Sequence, residues 1–270
     1  MNISILCRNN CVVASKTMDY FADKGRPFDL IIIERAVRKS LSQNERLYQE
    51  THRAFYRHLY PEHARKNILN SVLRFIPDGI QSHLKRLRDG LSPINIKAKA
   101  KARHIPFEEV EVHSSPATRT LLEKHDIGFA LLTSSAWLIK EPLLGMNRLR
   151  IVNAHCAQLP EHRSLDSLPW SIMEGDKTGL TTHFVDCGID TGPVLLFTEV
   201  KPEQGDNLVT LRQKIEDRKP EAFFETLDAL HGDKLAPVPQ LESEGTHHRP
   251  MTLAEMIEAE RLLQERLRNL

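Results

Sequence analysis

The sequence is short of cysteine, of net charge and of long apolar runs, and each shortage closes off a class of function. Four cysteines (Cys7, Cys11, Cys156, Cys187) in 270 residues are too few for a disulfide framework. Cys156, His155, His162, His183 and Cys187 crowd one stretch, yet none of the usual zinc spacings is present, so no metal is expected and the thiols read as reduced. Lys and Arg number 37 against 36 Asp and Glu, a formal charge of +1, so no global field argues for a nucleic-acid partner. Nothing approaches the roughly 18 consecutive apolar residues of a membrane span. The chain opens directly on strand-like Ile3-Ser4-Ile5-Leu6, with no leader of the secretory kind. A cytoplasmic protein without a membrane partner is expected. Glycine is missing from the first strand-to-helix turn, Cys7-Arg8-Asn9-Asn10-Cys11, where doubly wound sheets often cradle phosphate.

What the sequence does contain is an alternation of strand and helix. Residues 3–7 and Phe28–Glu34 read as strands around a helix from Ser15 to Lys24 that stops at Gly25, a βαβ unit with parallel neighbours. Residues 42–92 interrupt the pattern with helical periodicity divided by Pro61 and Pro77. Nine Lys or Arg face five Asp or Glu in that stretch, near Tyr48, Phe55, Tyr56 and Tyr60. This is either a surface for an anionic ligand or an amphipathic excursion with solvated charges. Lys97, Lys99, Lys101 and Arg103 fit a solvated helix. Further strands are expected at 106–112, 128–133, 149–152, 180–185 and 194–200, and helices at 118–125, 141–144 and 171–174, the last ending at Gly175. Leu208 to Leu230 reads as two helical pieces separated by Pro220, and Thr252 with Glu255 as the capping box of a final helix. The order gives an α/β fold with a mostly parallel, doubly wound sheet, which binds ligands at the carboxyl ends of its strands.

Candidate chemistry gathers around Asn153-Ala154-His155, just past the end of its strand, and around Asp190-Thr191-Gly192-Pro193. Spacing by two puts Asn153 and His155 on one face of an extended segment. An amide can donate to an oxyanion, an imidazole can move protons, and a carboxylate can orient the imidazole. The dipeptide spacing alone equally describes a turn-former beside a satisfied histidine.

Several motifs in order raise its meaning: Asn153-x-His155, Leu159-Pro160, Arg163, Gly175-Asp176, Thr181-Thr182-His183-Phe184-Val185 and Asp190-Thr191-Gly192-Pro193. Over about forty residues they resemble the folate-dependent formyltransferases, which include glycinamide ribonucleotide, methionyl-tRNA and amino-sugar enzymes. The resemblance implies a Rossmann-like catalytic domain over 1–203, with the 42–92 insertion, and a helical extension over 204–270 packed on the same domain. It implies 10-formyltetrahydrofolate as co-substrate, with Asn153, His155 and Asp190 catalytic. Folate would be held by Ser135, Trp137, Leu138, Ile139, Asp186 and Gly188, although Trp137 could as well cap the core. His183 either shapes the site or packs the strand. The acceptor would meet Arg8, Asn9, Asn10 and Arg163. Family members often have glycine where this chain has Ser134 and Ser164.

The implied activity is transfer of a formyl group to a primary amine or hydroxylamine of a small molecule, foremost an amino sugar on a nucleotide. An amino-acid-derived acceptor such as hydroxyornithine is the next reading. Hydrolysis of the folate and a non-catalytic folate-binding module are the alternatives from other classes. The glycine-free first turn counts against glycinamide ribonucleotide. Nothing domain-sized follows residue 270, which counts against the tRNA substrate. Oligomeric state is not legible, and a homodimer is compatible with it.

Overall fold

The computed structural model describes residues 2–35, 42–61, 94–163 and 165–269. Seven strands form the main sheet: β1 (Ile3–Arg8), β2 (Leu30–Glu34), β3 (Phe107–Val110), β4 (Phe129–Leu132), β5 (Arg150–His155), β7 (Gly179–Phe184) and β8 (Val194–Glu199). Their order is β3-β2-β1-β4-β5-β7-β8. The first five run parallel, and β7 is antiparallel to both β5 and β8. This is the mostly parallel doubly wound sheet that the alternation predicts.

Alternation along the strands explains why both faces are covered. Ile31 and Ile33 join Ile5 and Cys7 in one core with Met18 and Phe21 of helix α1 (Val12–Asp23). Leu30 and Ile32 join Leu6 in a second core with Leu122 of α4 (Pro116–Lys124) and with Ile139 and Leu143. A strand buried on both faces needs an unbroken apolar run, which Leu30-Ile31-Ile32-Ile33 supplies.

Several elements depart from the sequence expectation. Helix α1 starts at Val12 because Cys11 supplies the cap, its Sγ accepting from Ala14 N at 3.3 Å. Residues 141–144 form hydrogen-bonded turns in place of a helix, with Leu143 N donating to Lys140 O, Met146 N to Leu143 O and Leu149 N to Met146 O. The lysine-rich helix α3 (Ile96–Ala102) is not fully solvated: Ile96 and Ala100 are buried, and Lys99 donates to Ser15. The largest departure is α6 (Leu208–His231), one continuous helix with Pro220 inside it. Proline in a helix interior costs about 3 kcal/mol. Leu211, Ile215, Phe223 and Leu227 are all buried on this helix, and at about 1.5–3 kcal/mol for each such side chain they outweigh that cost.

Of the 42–92 insertion, the described part is α2 (Gln43–Leu59), opened by a Ser42–Glu45 capping box. Residues 62–92 of the insertion, with Pro77, lie outside the described residues, as does Ser164. Helix α2 buries Thr51 and Phe55, and His52 Nε2 lies 2.6 Å from buried Asp166 Oδ1. A short helix α5 (Ser167–Glu174) ends at Gly175, whose φ of 82° is the left-handed conformation suited to glycine. Strands β6 (His162–Arg163) and β9 (Thr246–His247) pair in a separate small ladder. Helix α7 (Leu253–Arg268) begins with the expected Thr252–Glu255 capping box, and its Met256, Leu263 and Leu267 share the first core.

Candidate active site

Strand order reverses between β1 and β4, and in sheets of this kind the crevice for ligands opens there, beyond the strand ends. The two lips of that crevice are tied together in this chain. Arg8 N donates to Ser134 Oγ at 2.9 Å, and Cys11 Sγ lies 3.7 Å from Thr133 O. Beside it, β5 carries Asn153 and His155. Both lie inside the strand, in its last three residues, and not past its end as the apolar run Leu149–Val152 suggested. Pairing with β7 extends the strand, because Asn153 sits opposite His183 and His155 opposite Thr181.

Four side chains converge. His155 Nδ1 lies 3.2 Å from Asp190 Oδ2, and His183 Nε2 lies 3.4 Å from Asp190 Oδ1. Asn153 Nδ2 is 3.2 Å from His183 Nε2 and 3.5 Å from Asp190 Oδ1. His183 Nδ1 is 2.8 Å from the Phe184 carbonyl, which can only accept; the hydrogen therefore belongs on Nδ1, and Nε2 accepts from the Asn153 amide. His155 Nε2 lies 2.8 Å from the His162 carbonyl. Both ring nitrogens of His155 thus face acceptors.

Burial alone would raise the Asp190 carboxyl. The charge of His155 and the hydrogen bond from it overcome that and hold it well below the usual carboxylate range. An anion fixed between two imidazoles orients them at neutral pH without titrating itself. Asp190 reaches this position with φ 56°, a left-handed conformation that aspartate tolerates better than most residues. Its loop is braced from two sides. Asp186 Oδ1 accepts from Gly188 N and from Thr191 Oγ1, and a side chain at Gly192 would collide with the Phe184 carbonyl. Cys187, at the tip of this loop, is exposed.

The remaining residues singled out from the sequence scatter in role. Ser135 Oγ closes a local turn by accepting from Trp137 N and donating to Trp137 O. Trp137 is 47% exposed and Leu138 is exposed too, whereas Ile139 is buried in the second core. Ser135, Trp137 and Leu138 line a cavity of about 430 Å³ together with Glu34, Val112, Ser114 and Lys140. Asn9 is occupied by α3, its Oδ1 and carbonyl accepting from Lys97 N and Ile96 N. Asn10 is exposed. Arg163 is buried and donates to Gln240 Oε1 from Nε and Nη2, so its guanidinium is directed to the chain's own tail.

Two contributors escape a reading of the sequence. Glu34 is buried at the end of β2 and accepts from His113 N at 3.1 Å and Ala136 N at 2.5 Å, which pins the 134–139 loop. A lone acid closing an apolar strand run is the signal that marks it. Gln240 Nε2 donates to the carbonyls of Asp190 and Gly192; nothing local in the sequence announces it.

Residues 43–227 match the family model described as formyl transferase. The methionyl-tRNA formyltransferase of Caldanaerobacter subterraneus subsp. tengcongensis is 34% identical over 177 residues, covering 65% of this chain and 57% of that protein. The enzyme of the same name from Synechocystis sp. is 33% identical over 159 residues, 58% of this chain and 48% of the other. The chain spans about half the length of the curated relatives it matches. Among solved structures, phosphoribosylglycinamide formyltransferase from Bacillus halodurans aligns with a TM-score of 0.53 at 20% identity, over 85% of this chain and 95% of the other. A sugar N-formyltransferase from a Shewanella species aligns with a TM-score of 0.53 at 14% identity, over 92% of this chain and 76% of the other. At such identities the structural likeness speaks for the fold alone. The family match, however, spans both β5 and the Asp190 loop, so the strand-borne amide and imidazole and the loop-borne acid fall within one homologous unit, and the chain belongs to the formyl transferase family.

Proposed function

We propose that the chain is a folate-dependent N-formyltransferase, moving the formyl group of 10-formyltetrahydrofolate to the amine of a small acceptor. The observation that carries this reading is the convergence of Asn153, His155 and His183 on Asp190 at the carboxyl end of β5. The cavity beside the 134–139 loop suits the co-substrate. Its volume of about 430 Å³ is of the size that holds small ligands, and Lys140 on its lining matches a folate's carboxylates. The co-substrate supplies an activated formyl carbon; the residues here position it and manage charge and protons.

Attack by an unprotonated amine puts negative charge on the formyl oxygen. Asn153 Nδ2 has two hydrogens; one bonds His183, and the other, in a long 3.5 Å contact with Asp190 Oδ1, is the one that turns to that oxygen. His155 carries the proton released by the amine toward the departing folate nitrogen. For this, Nε2 exchanges the His162 carbonyl for substrate while Asp190 keeps hold of Nδ1. Asp190, held ionised, offsets the positive charge as the imidazole gains its proton.

For the acceptor, an amino sugar carried on a nucleotide comes first and an amino-acid-derived amine second. A net charge of +1 supplies no long-range attraction for a polyanion. The similarity to methionyl-tRNA formyltransferases favours a tRNA acceptor as the rival. Supplying the protein with 10-formyltetrahydrofolate and, in separate arms, nucleotide-linked amino sugars, hydroxyornithine, methionyl-tRNA or no acceptor distinguishes these. Tetrahydrofolate release together with a formylated product of the right mass identifies the acceptor. Release in the arm without acceptor shows hydrolysis, and folate binding without turnover in any arm shows a binding module.

A further inference from the structure

A second cluster of ionisable side chains lies on the far side of the His162 carbonyl that holds His155. His162 is fully buried, and its Nε2 lies 2.8 Å from Asp176 Oδ2. A carboxylate accepts only, so that nitrogen carries the hydrogen and Nδ1 presents a lone pair. Facing Nδ1 at 3.1 Å is His248 Nε2, and Glu174 Oε1 lies 3.7 Å from the same His248 nitrogen. One donor atom from each of His162, Glu174 and His248 falls within 4.8 Å of the other two.

These separations bracket a coordination polyhedron. Zinc-to-nitrogen bonds of about 2.0–2.1 Å in a tetrahedron place neighbouring donors about 3.3 Å apart. The orienting groups are also present. Asp176 on the outer nitrogen of His162 is the carboxylate–histidine pairing that fixes the tautomer of a metal-bound imidazole. Trp170 stacks on the His248 ring at 4.7 Å and 13°, and its Nε1 donates to the Arg249 carbonyl, so the second imidazole is held as well. The Glu174 side chain is 45% exposed, which leaves a path of entry and room for a water as fourth ligand.

We propose that His162, Glu174 and His248 form a binding site for a divalent transition-metal ion of the zinc class. The ligands come from β6, the end of α5 and the segment after β9. A bound ion would therefore cross-link residues 246–248 to the lobe that carries His155. None of the three ligands belongs to the Asn153–His155–His183–Asp190 cluster, and the site is independent of whether the chain transfers formyl groups. The signal is faint in the sequence because the ligands are twelve and seventy-four residues apart.

The test uses the full chain stripped with chelator and titrated with zinc by calorimetry and with cobalt by visible absorption. One equivalent of zinc per chain, a raised melting temperature and the d–d bands of low-coordinate cobalt are expected. His248→Ala and the near-isosteric Glu174→Gln should each weaken binding by at least about 10-fold, and Asp176→Asn by about 10- to 100-fold. If His248→Ala fails to fold, Glu174→Gln carries the test. Absence of stoichiometric uptake by the wild type overturns the site, as does uptake that both ligand variants leave unchanged; in the first case His162 and His248 merely share a hydrogen bond.

Discussion

Asn153 and His155 stand on a strand, whereas Ser135, Trp137 and Leu138 stand on a loop, and the two groups are held by different physics. On β5 the backbone fixes the geometry. Parallel pairing with β4 and antiparallel pairing with β7 set the register, and period two aims both side chains the same way. On the 134–139 loop, single side chains do the anchoring, the buried Glu34 carboxylate through Ala136 N and the Ser134 hydroxyl through Arg8 N. The Asp190 loop lies between these extremes, with an internal brace at Asp186 and an external one at Gln240. On the proposed function, the chemistry would fall to the part least able to move, and ligand contact to parts tuned by single side chains.

Removing the reacting groups from the rigid part should give the largest effects. His155→Ala is expected to lower formyl transfer by at least about 10²-fold and Asn153→Ala by about 10²–10³-fold, with the fold retained. Rates of tetrahydrofolate release beside circular-dichroism melts check this, and near-wild-type turnover by His155→Ala would remove the assignment.

Asp190→Asn tests the charge at the junction. The folded carboxyl is held below its unfolded value. Its stabilisation is therefore complete above the ordinary carboxylate pKa of about 4 and is lost as pH falls below it. The wild type should exceed Asp190→Asn by about 1–3 kcal/mol at pH 7, and the gap should narrow as pH drops from 5 toward 3. Urea midpoints at several pH values measure it; a gap independent of pH would deny Asp190 its ionised role.

Changes on the tuned side should be smaller and differently distributed. Glu34→Gln loosens the 134–139 loop and should raise the KM for the folate by about tenfold, with kcat nearly kept, matching the loss of about 1.5 kcal/mol of charged hydrogen bonding. Gln240→Ala removes the external brace of Asp190 and should lower kcat several-fold while leaving the folate KM alone. Equal effects of both variants on both parameters would erase the distinction between strand-borne and loop-borne parts.

The same distinction explains what could be read in advance. The alternation of strands and helices, the mostly parallel sheet and the Asn-x-His spacing were legible because apolar runs and period two are local signals. The 153–155 and 190–193 motifs carried the cluster through resemblance. What stayed hidden depends on pairing across the chain. The cross-strand placement of His183 against Asn153, the Gln240 brace and the diversion of Arg163 to the tail all join residues between thirty and seventy-seven positions apart. Pro220 misled because propensity is local, whereas the burial that overrides it belongs to the whole helix.

Burial pushes the Cys7 and Cys156 thiols up, away from the reactive thiolate, and Cys11 is engaged in capping α1. Cys187 stands exposed at the tip of the Asp190 loop, three residues before the aspartate. Under mild conditions an alkylating fluorophore should therefore attach there first, in the unmutated protein. It would give an optical readout of whether that loop changes its surroundings when ligands arrive.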